Sequence, residues 1–447
     1  MVGAGWAGLA AALALAEAGG KVTLFDAAPT PGGRARTVAL ETPLGRISID
    51  NGQHLIVGAY REAIGLIERL GAGHLLRRHP LSLSSPAGLS LRAPRLPAPL
   101  HLGWAALTAR GLGPGARGAM LRLMLGLRLA GWRARDGETV AQLLARFGQP
   151  GPLVDRLWAP LCIGALNTMP GEACAAAFAA VLRDTLGADR AASDFVGAEA
   201  PLGSLLPEPA LDRLRALGAE PRLREPVRRL ALRSGNPGLP DRWRIGDADF
   251  DAVVLALPPW SAARLLEASG VPAGPIARFE PEPIATAWAL WPADAAPALP
   301  RWSLLDEEPA RDRYGQWLFD RGTVAQARLA GIVISAASRL DGVAAERIAA
   351  GVSAQLADAF GGPPPAAVKL VTERRATFRC TPGRPRLRPD HLRGQAPGLW
   401  LAGDWLWPDY PATLEAAVRS GGEAANMALA AAAATGAPNA TPRKQTR

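Results

Sequence analysis

The sequence predicts an α/β chain in which a nucleotide-binding unit is interleaved with a second region of mixed sheet and helix. Three observations carry that expectation. Gly3-x-Gly5-x-x-Gly8 opens a helix-forming run, Asp26 closes the next apolar run 18 positions after Gly8, and from Leu205 onward apolar runs alternate with helical stretches. With 447 residues there is material for two or three domains with a buried core. A hydrophobic fraction of 49% against 20% charged residues excludes a disordered or fibrous chain.

The first elements read strand stub, glycine turn, helix, strand. Trp6 to Ala18 is rich in Ala and Leu and stops at Gly19-Gly20. Val22 to Phe25 is a short apolar run ending in Asp26, as a buried parallel strand would end. This is half of a βαβ unit of the Rossmann-like kind. In it Gly3 permits the tight turn, Gly5 lets backbone approach a pyrophosphate, and Gly8 lets helix pack on strand, while Asp26 is placed to accept from ribose hydroxyls. Only Met1 and Val2 precede Gly3, where about four to six strand residues are expected. Either a start placed too late or a truncated chain is therefore expected, and a missing first strand would remove the sheet's central element and weaken nucleotide binding.

Residues 80–115 carry few helix or strand signals. From Arg117 to Arg135 a helix is expected, with Met120, Leu123, Met124 and Leu127 on one face and Arg117, Arg122, Arg128, Arg133 and Arg135 in a separate arc. Two readings stay open for it: an ordinary surface helix with a solvated face, which base expectation favours, and a basic helix lying on a membrane surface. Residues 136–195 read as helical, punctuated by Pro160 and Pro170. Beyond them, Leu211 to Leu217 reads as helix, and Pro226 to Leu230 and Trp243 to Ile245 as short strands. Phe250 to Leu257 reads as one buried strand stopped by Pro258-Pro259. A helix from Ala344 to Phe360, a strand from Leu399 to Ala402 and a helix from Thr413 to Ala433 complete the pattern, before a tail expected to be disordered.

The net charge of +10 invites a nucleic-acid reading. Lys21, Lys369 and Lys444 are the only lysines, however, and an Arg-, Ala-, Gly- and Pro-heavy chain fits compositional bias better; no basic run or nucleic-acid motif is present, so no nucleic-acid partner is expected. Cys162, Cys174 and Cys380 form no C-x-x-C pair and are expected as buried thiols in a reducing compartment. Cys162 in particular reads as a packed thiol rather than a nucleophile. The five histidines show no zinc spacing, so no metal site is expected. No basic segment opens the chain, and the uncharged stretch Leu157 to Gly171 is too short to cross a bilayer. A cytoplasmic protein is expected, with peripheral contact on the inner face of the cytoplasmic membrane left open.

Three further motifs, in order after the Gly3 to Gly8 loop, sharpen the nucleotide reading. Pro31-Gly32-Gly33-Arg34-Ala35-Arg36 resembles the G-G-R loop of the FAD-dependent amine oxidase and phytoene desaturase superfamily. Ala256-Leu257-Pro258-Pro259 resembles its internal strand end. Leu401-Ala402-Gly403-Asp404 with Ala412-Thr413-Leu414-Glu415-Ala416-Ala417 resembles its C-terminal flavin motif. The resemblance implies an amine oxidase/phytoene desaturase-like fold: a Rossmann-like FAD-binding domain assembled from residues 1–80, 201–262 and 391–434. Residues 81–200 would be a mainly helical substrate or membrane-contact region, 263–390 a substrate sheet and helix, and 435–447 the tail. It further implies FAD contacts at Gly3, Gly5, Gly8, Asp26, Gly32, Gly33, Arg34, Val227, Gly403, Asp404, Thr413 and Leu414, with Val227 at the adenine.

Asp50-Asn51-Gly52-Gln53-His54, Gly58-Ala59-Tyr60, Trp158 to Cys162, Ala165 to Thr168 and Arg375 to Phe378 resemble blocks of the squalene-associated FAD-dependent desaturases, better described as hydroxysqualene dehydroxylases of bacterial hopanoid synthesis. The implied reaction is reductive. Loss of water from the allylic alcohol hydroxysqualene, a C30 isoprenoid, gives a delocalised cation, and reduced flavin N5 delivers hydride to make squalene; the electron donor is not implied. His54, with Gln53 beside it, is a candidate proton source for the leaving hydroxyl, the alternative being that both only order the flavin loop. Trp405 and Trp407 are expected to line an apolar cavity near Asp404. A phytoene or carotenoid-type desaturase remains the nearest alternative. A non-catalytic flavoprotein scaffold passing squalene precursors between partners is the alternative of another class.

Overall fold

Met1 to Gly3, short as they are, occupy the centre of a parallel sheet. Val2 bridges Phe25 on one side and Leu255 on the other. Outside it, Thr23–Asp26 pairs with Glu220–Leu223, and Val253–Leu255 with Leu399–Leu401, all parallel. The Met1 amino group is buried, donates to the Thr23 carbonyl at 2.9 Å, and is held by desolvation at a pKa of about 5. This is a computed structural model describing residues 1–43, 45–233, 242–324 and 327–434; the tail 435–447 lies outside the described residues.

Helix α1 (Trp6–Glu17) has no polar face, and nine of its 12 residues are buried. Such a helix belongs inside a domain, and α1 packs between the sheet and the C-terminal helix Leu414–Ala434. Helix α2 (Arg61–Arg69) is amphipathic, burying Ala63, Ile64, Leu66 and Ile67.

The second region is built on a five-stranded antiparallel sheet. Its order is Trp302–Leu304, Trp317–Val324, Ala327–Ile334, Pro281–Pro292, Ala367–Phe378. Helix Ala345–Phe360 covers one face through Ile348, Val352 and Leu356. On the hairpin Thr37–Thr42/Gly45–Asp50, Ile47 and Ile49 pack with Trp288, Leu290 and Leu329.

Four sequence expectations need correction. Pro226 to Leu230 is not a strand: Pro226 has no N–H to give, and pairing begins only at Ala231–Arg233. The run Phe250 to Leu257 is broken at the exposed Asp251, so that Ala248–Phe250 closes an antiparallel meander while Val253–Leu255 joins the parallel sheet. Residues 80–115 hold a hairpin, Ser82–Ser84 with Ser90–Arg92, and helix α3 (Leu100–Leu107). Three-residue strands and a helix apolar on every side leave no periodicity to read. Helix α4 spans Pro114–Leu129 and stops short of Arg133 and Arg135, because Gly131 and Trp132 turn to left-handed φ values of 63° and 59°. Its buried face is Ala119, Met120, Leu123 and Leu127. Arg122, Arg128, Arg133 and Arg135 are exposed, as a solvated arc requires, and Arg117 is half-buried; Arg117 donates to the carbonyls of Leu107 and Leu112, and Arg122 to those of Phe147 and Gly148. Among the described residues no helix is long and apolar enough to cross a membrane.

Candidate active site

A single cavity of about 1590 Å³ runs from the α1 N-terminus through the substrate region. That exceeds the roughly 300–1,000 Å³ of one small-molecule site. Gly3, Gly5, Asp26, Gly32, Gly33, Arg34, Gln53, His54, Gly403, Asp404, Thr413 and Leu414 all line it. Of the residues expected to touch the cofactor or the leaving hydroxyl, Gly8 and Val227 do not. Val227 lines an adjoining cleft that shares Gly3, Asp26 and Leu257 with the cavity. Gly8 packs behind the loop, where an added Cβ would fall on the Gly3 carbonyl.

The α1 end is shaped for an anionic group. Gly5 is the N-cap, no side chain caps it, and no acidic residue occupies the first turn. The first N–H groups therefore remain available, and the helix dipole adds positive potential. The second glycine loop lies against the first: Gly32 N–H donates to the Ala4 carbonyl at 2.8 Å, and a Cβ on Gly33 would lie 3.2 Å from Gly5 Cα. Trp6 Nε1 fixes that loop by donating to the Ala35 carbonyl at 3.2 Å. Asp26 accepts from Ala4 N–H at 2.6 Å and Ala28 N–H at 2.7 Å, holding the glycine turn while its face toward the cleft stays open.

Arg34 and Asp404 are 370 positions apart, yet they pair. Arg34 Nη2 lies 2.8 Å from both Asp404 oxygens, and Nη1 donates to the Ala376 carbonyl at 2.6 Å. This clasp joins the G-G-R loop, the C-terminal motif and the substrate sheet at one point. Thr413 caps the last helix, its Oγ1 accepting from Ala416 N–H at 3.1 Å. In the first turn of that helix Glu415, 1% exposed, accepts from Arg419 and from the Glu62 and Ala63 N–H groups that open α2.

Asp50 anchors the Asn51-Gly52-Gln53-His54 turn. It is buried, accepts from Leu202 N–H at 2.8 Å, faces Arg321, and burial raises its pKa. Gln53 donates to the His54 carbonyl, but its buried Oε1 has no partner. A buried unpaired acceptor on a cavity wall fits a ligand that supplies a donor. His54 is partly buried and keeps part of its surface toward the cavity. Desolvation first, then the Arg34 charge, lowers its pKa to about 4. It is thus neutral near pH 7 and not a stored acid. Tyr60 and Tyr410 also line the cavity; burial drives both phenols well above their ordinary range, so both keep their protons.

The unfolded chain takes up a proton at His54 below about pH 6.5, whereas the folded chain does so only near pH 4. Between those values the unfolded state binds more protons, so acidification costs stability. His54→Gln is expected to flatten that part of the dependence, seen as a smaller drop in urea midpoint between about pH 7 and pH 4.5. An unchanged drop would mean His54 titrates normally.

Beyond this polar end the wall is apolar, with Leu157, Trp158, Phe178, Phe195, Trp317 and Phe319 among its side chains. Trp405 and Trp407, expected there, are elsewhere. Trp405 is 2% exposed, donates to the Leu257 carbonyl and meets Phe279 edge-on; Trp407 lies under Arg419. The three cysteines are free and buried, with Cys380 pushed up to about 12 by desolvation. Sequence reasoning missed Tyr410, Glu415 as an anchor and the Arg34–Asp404 clasp. The last left only one signal, opposite charges in two motifs assigned to the same cofactor.

Comparison with known proteins agrees with this architecture. Residues 6–429 match the family described as flavin containing amine oxidoreductase. A hydroxysqualene dehydroxylase from Sinorhizobium fredii is 33% identical over 96% of this chain and 97% of its own length. One from Zymomonas mobilis is 30% identical over 96% and 98%. Among solved structures, cyclohexylamine oxidase from Brevibacterium oxydans superposes with a TM-score of 0.64 at 20% identity, covering 96% of this chain and 97% of its own, a likeness of fold. This chain belongs to the flavin-containing amine oxidoreductases, as an FAD-dependent oxidoreductase of the hydroxysqualene dehydroxylase family.

Proposed function

We propose that this chain reductively dehydroxylates hydroxysqualene to squalene. The observation that carries the reading is the continuity of one cavity from a dinucleotide-shaped polar end into a long apolar chamber. Relatives of near-equal length that bear the name hydroxysqualene dehydroxylase support it. FAD would lie along the glycine loops, with adenine toward Val227, its diphosphate near the uncapped α1 N-terminus, and Asp26 at the ribose. When bound and reduced, it supplies a hydride from N5.

The chain's own residues supply the rest. The aromatic and aliphatic wall holds a flexible polyene dry and extended, which prevents water from capturing an allylic cation. Departure of the hydroxyl as water consumes one proton, and the hydride then forms the new C–H bond, so the balance is alcohol plus hydride plus proton giving alkene and water. Because His54 is neutral, it acts by hydrogen bonding to the hydroxyl, with Gln53 Oε1 accepting from a ligand donor. The proton comes from outside that imidazole and outside Tyr60 and Tyr410, whose phenols burial makes weaker acids and which line the cavity as neutral hydrogen-bond donors.

The test is anaerobic. Photoreduced enzyme mixed with hydroxysqualene is expected to regain the oxidised flavin absorbance near ~450 nm and to yield squalene. No reoxidation would sink the reading. Reduction of the oxidised enzyme by a polyene that gains a double bond, losing hydride to the flavin and a proton to solvent, would point instead to a desaturase.

A further inference from the structure

We propose that the mouth formed by α3 and α4 docks on an anionic lipid bilayer. The first observation is apolar exposure. Leu100, Trp104 and Leu107 on α3, and Leu125 and Leu129 on α4, are each between 55% and 79% exposed. On a helix, positions i, i+4 and i+7 share a face, so Leu100, Trp104 and Leu107 form one row, and Leu125 and Leu129 stand one turn apart. The helices pack together, and these five side chains rim the cavity. With Leu96 they make six of the eight large hydrophobics exposed among the described residues. Single exposed leucines are ordinary, whereas a cluster at a cavity mouth marks a contact surface.

The charge pattern identifies the occupant. Between Arg69 and Arg135 the sequence has eleven arginines and no Asp or Glu, while the rest of the chain is balanced at 39 basic against 40 acidic residues. The whole net charge of +10 thus resides in the segment that carries the mouth. A composition-wide bias would have spread it. Arg95, Arg110, Arg128 and Arg133 are exposed there, and none forms an ion pair among the described residues. Leucine and tryptophan flanked by unpaired arginines suit a leaflet with anionic headgroups, at about 1 kcal/mol per basic residue near the surface. A second copy of the chain would bring the two arginine-rich segments together, which charge repulsion opposes.

Arg117 and Arg122 have a different task. By binding the carbonyls at the end of α3 and of the Phe147-Gly148 turn, they fix the two helices and so the rim. Docking therefore rests on the leucine and tryptophan rows with the free arginines around them. That an apolar substrate then enters from the leaflet rests on the function proposed above, but docking itself does not.

Flotation of the flavin-loaded full chain with vesicles tests it without substrate. The chain is expected to float with phosphatidylcholine–phosphatidylglycerol vesicles and far less with phosphatidylcholine alone. Trp104→Glu/Leu107→Glu/Leu129→Glu should lower binding by more than about tenfold. Arg110→Glu/Arg128→Glu/Arg133→Glu should abolish the preference for phosphatidylglycerol. Flavin absorbance and melting temperature serve as folding controls, since all six side chains lie on the surface. Parent-like flotation of the leucine and tryptophan variant would overturn the proposal. So would a parent that floats with neither vesicle, or a parent dimer that this variant dissociates.

Discussion

Gly8→Ala is expected to yield a protein with less than about a tenth of the parent's flavin and a lower melting temperature. The added methyl would fall on the Gly3 carbonyl oxygen and come within 3.0 Å of Ala256 Cβ. Both are held by the sheet: Val2 exchanges hydrogen bonds with Val254 and Ala256, and Gly3 N–H donates to the Phe25 carbonyl at 2.7 Å. Helix α1 must therefore move rather than the loop. Overpacking of this kind costs about 1–3 kcal/mol, and backbone contact puts this site at the upper end. The displacement also carries the uncapped N–H groups of α1 away from the cavity. Gly5→Ala separates packing from ligand approach, because its added methyl meets only Gly33 Cα, at 3.9 Å. It is expected to melt like the parent without cofactor but to bind FAD at least about tenfold more weakly. Flavin absorbance per polypeptide and thermal denaturation of the cofactor-free forms measure both. Parent-like flavin content in Gly8→Ala would refute the assignment of this loop.

The polar end was legible because its chemistry is local. Gly3 to Gly8 with Asp26, and Gly32 to Arg34, carry their geometry in short spacings, and both segments line the cavity. Asp404 and Thr413 were legible only through resemblance, since nothing in the sequence over a separation of 370 positions indicates that Asp404 meets Arg34. Reading failed where periodicity vanished. Helix α3 is apolar all round, so no moment distinguished it from loop, and its exposed row became visible only once its buried side was known. Trp405 misled because closeness in sequence to a cofactor residue says little about direction: its ring turns away from the cavity to Phe279. At the start of the chain the pairing of Met1 and Val2 with Phe25, Val254 and Ala256 was not legible either, because two residues before Gly3 carry no periodicity.

The Arg34–Asp404 pair makes a prediction whose sign is unusual. Arg34→Ala leaves Asp404, whose side chain is 10% exposed, without its cation beside the loop that faces the α1 N-terminus. Removing one partner of a buried pair costs about 3–5 kcal/mol, and the 28% exposure of Arg34 reduces this to about 1–3 kcal/mol. The larger effect falls on the cofactor, because a lone carboxylate there repels an incoming diphosphate. Asp404→Ala leaves Arg34 held by the Ala376 carbonyl and still able to attract the same anion. Arg34→Ala is therefore expected to weaken FAD binding most, Asp404→Ala less, and the double variant to recover part of the loss by removing the repelling charge. Arg34→Lys keeps the charge but not the fork that spans Asp404 and Ala376, and belongs between parent and Arg34→Ala. Titrating FAD into the cofactor-free parent and the four variants gives the affinities, and melting temperatures separate folding from binding. A double variant that binds FAD more weakly than Arg34→Ala would show that Asp404 holds the cofactor directly and that Arg34 does not neutralise it.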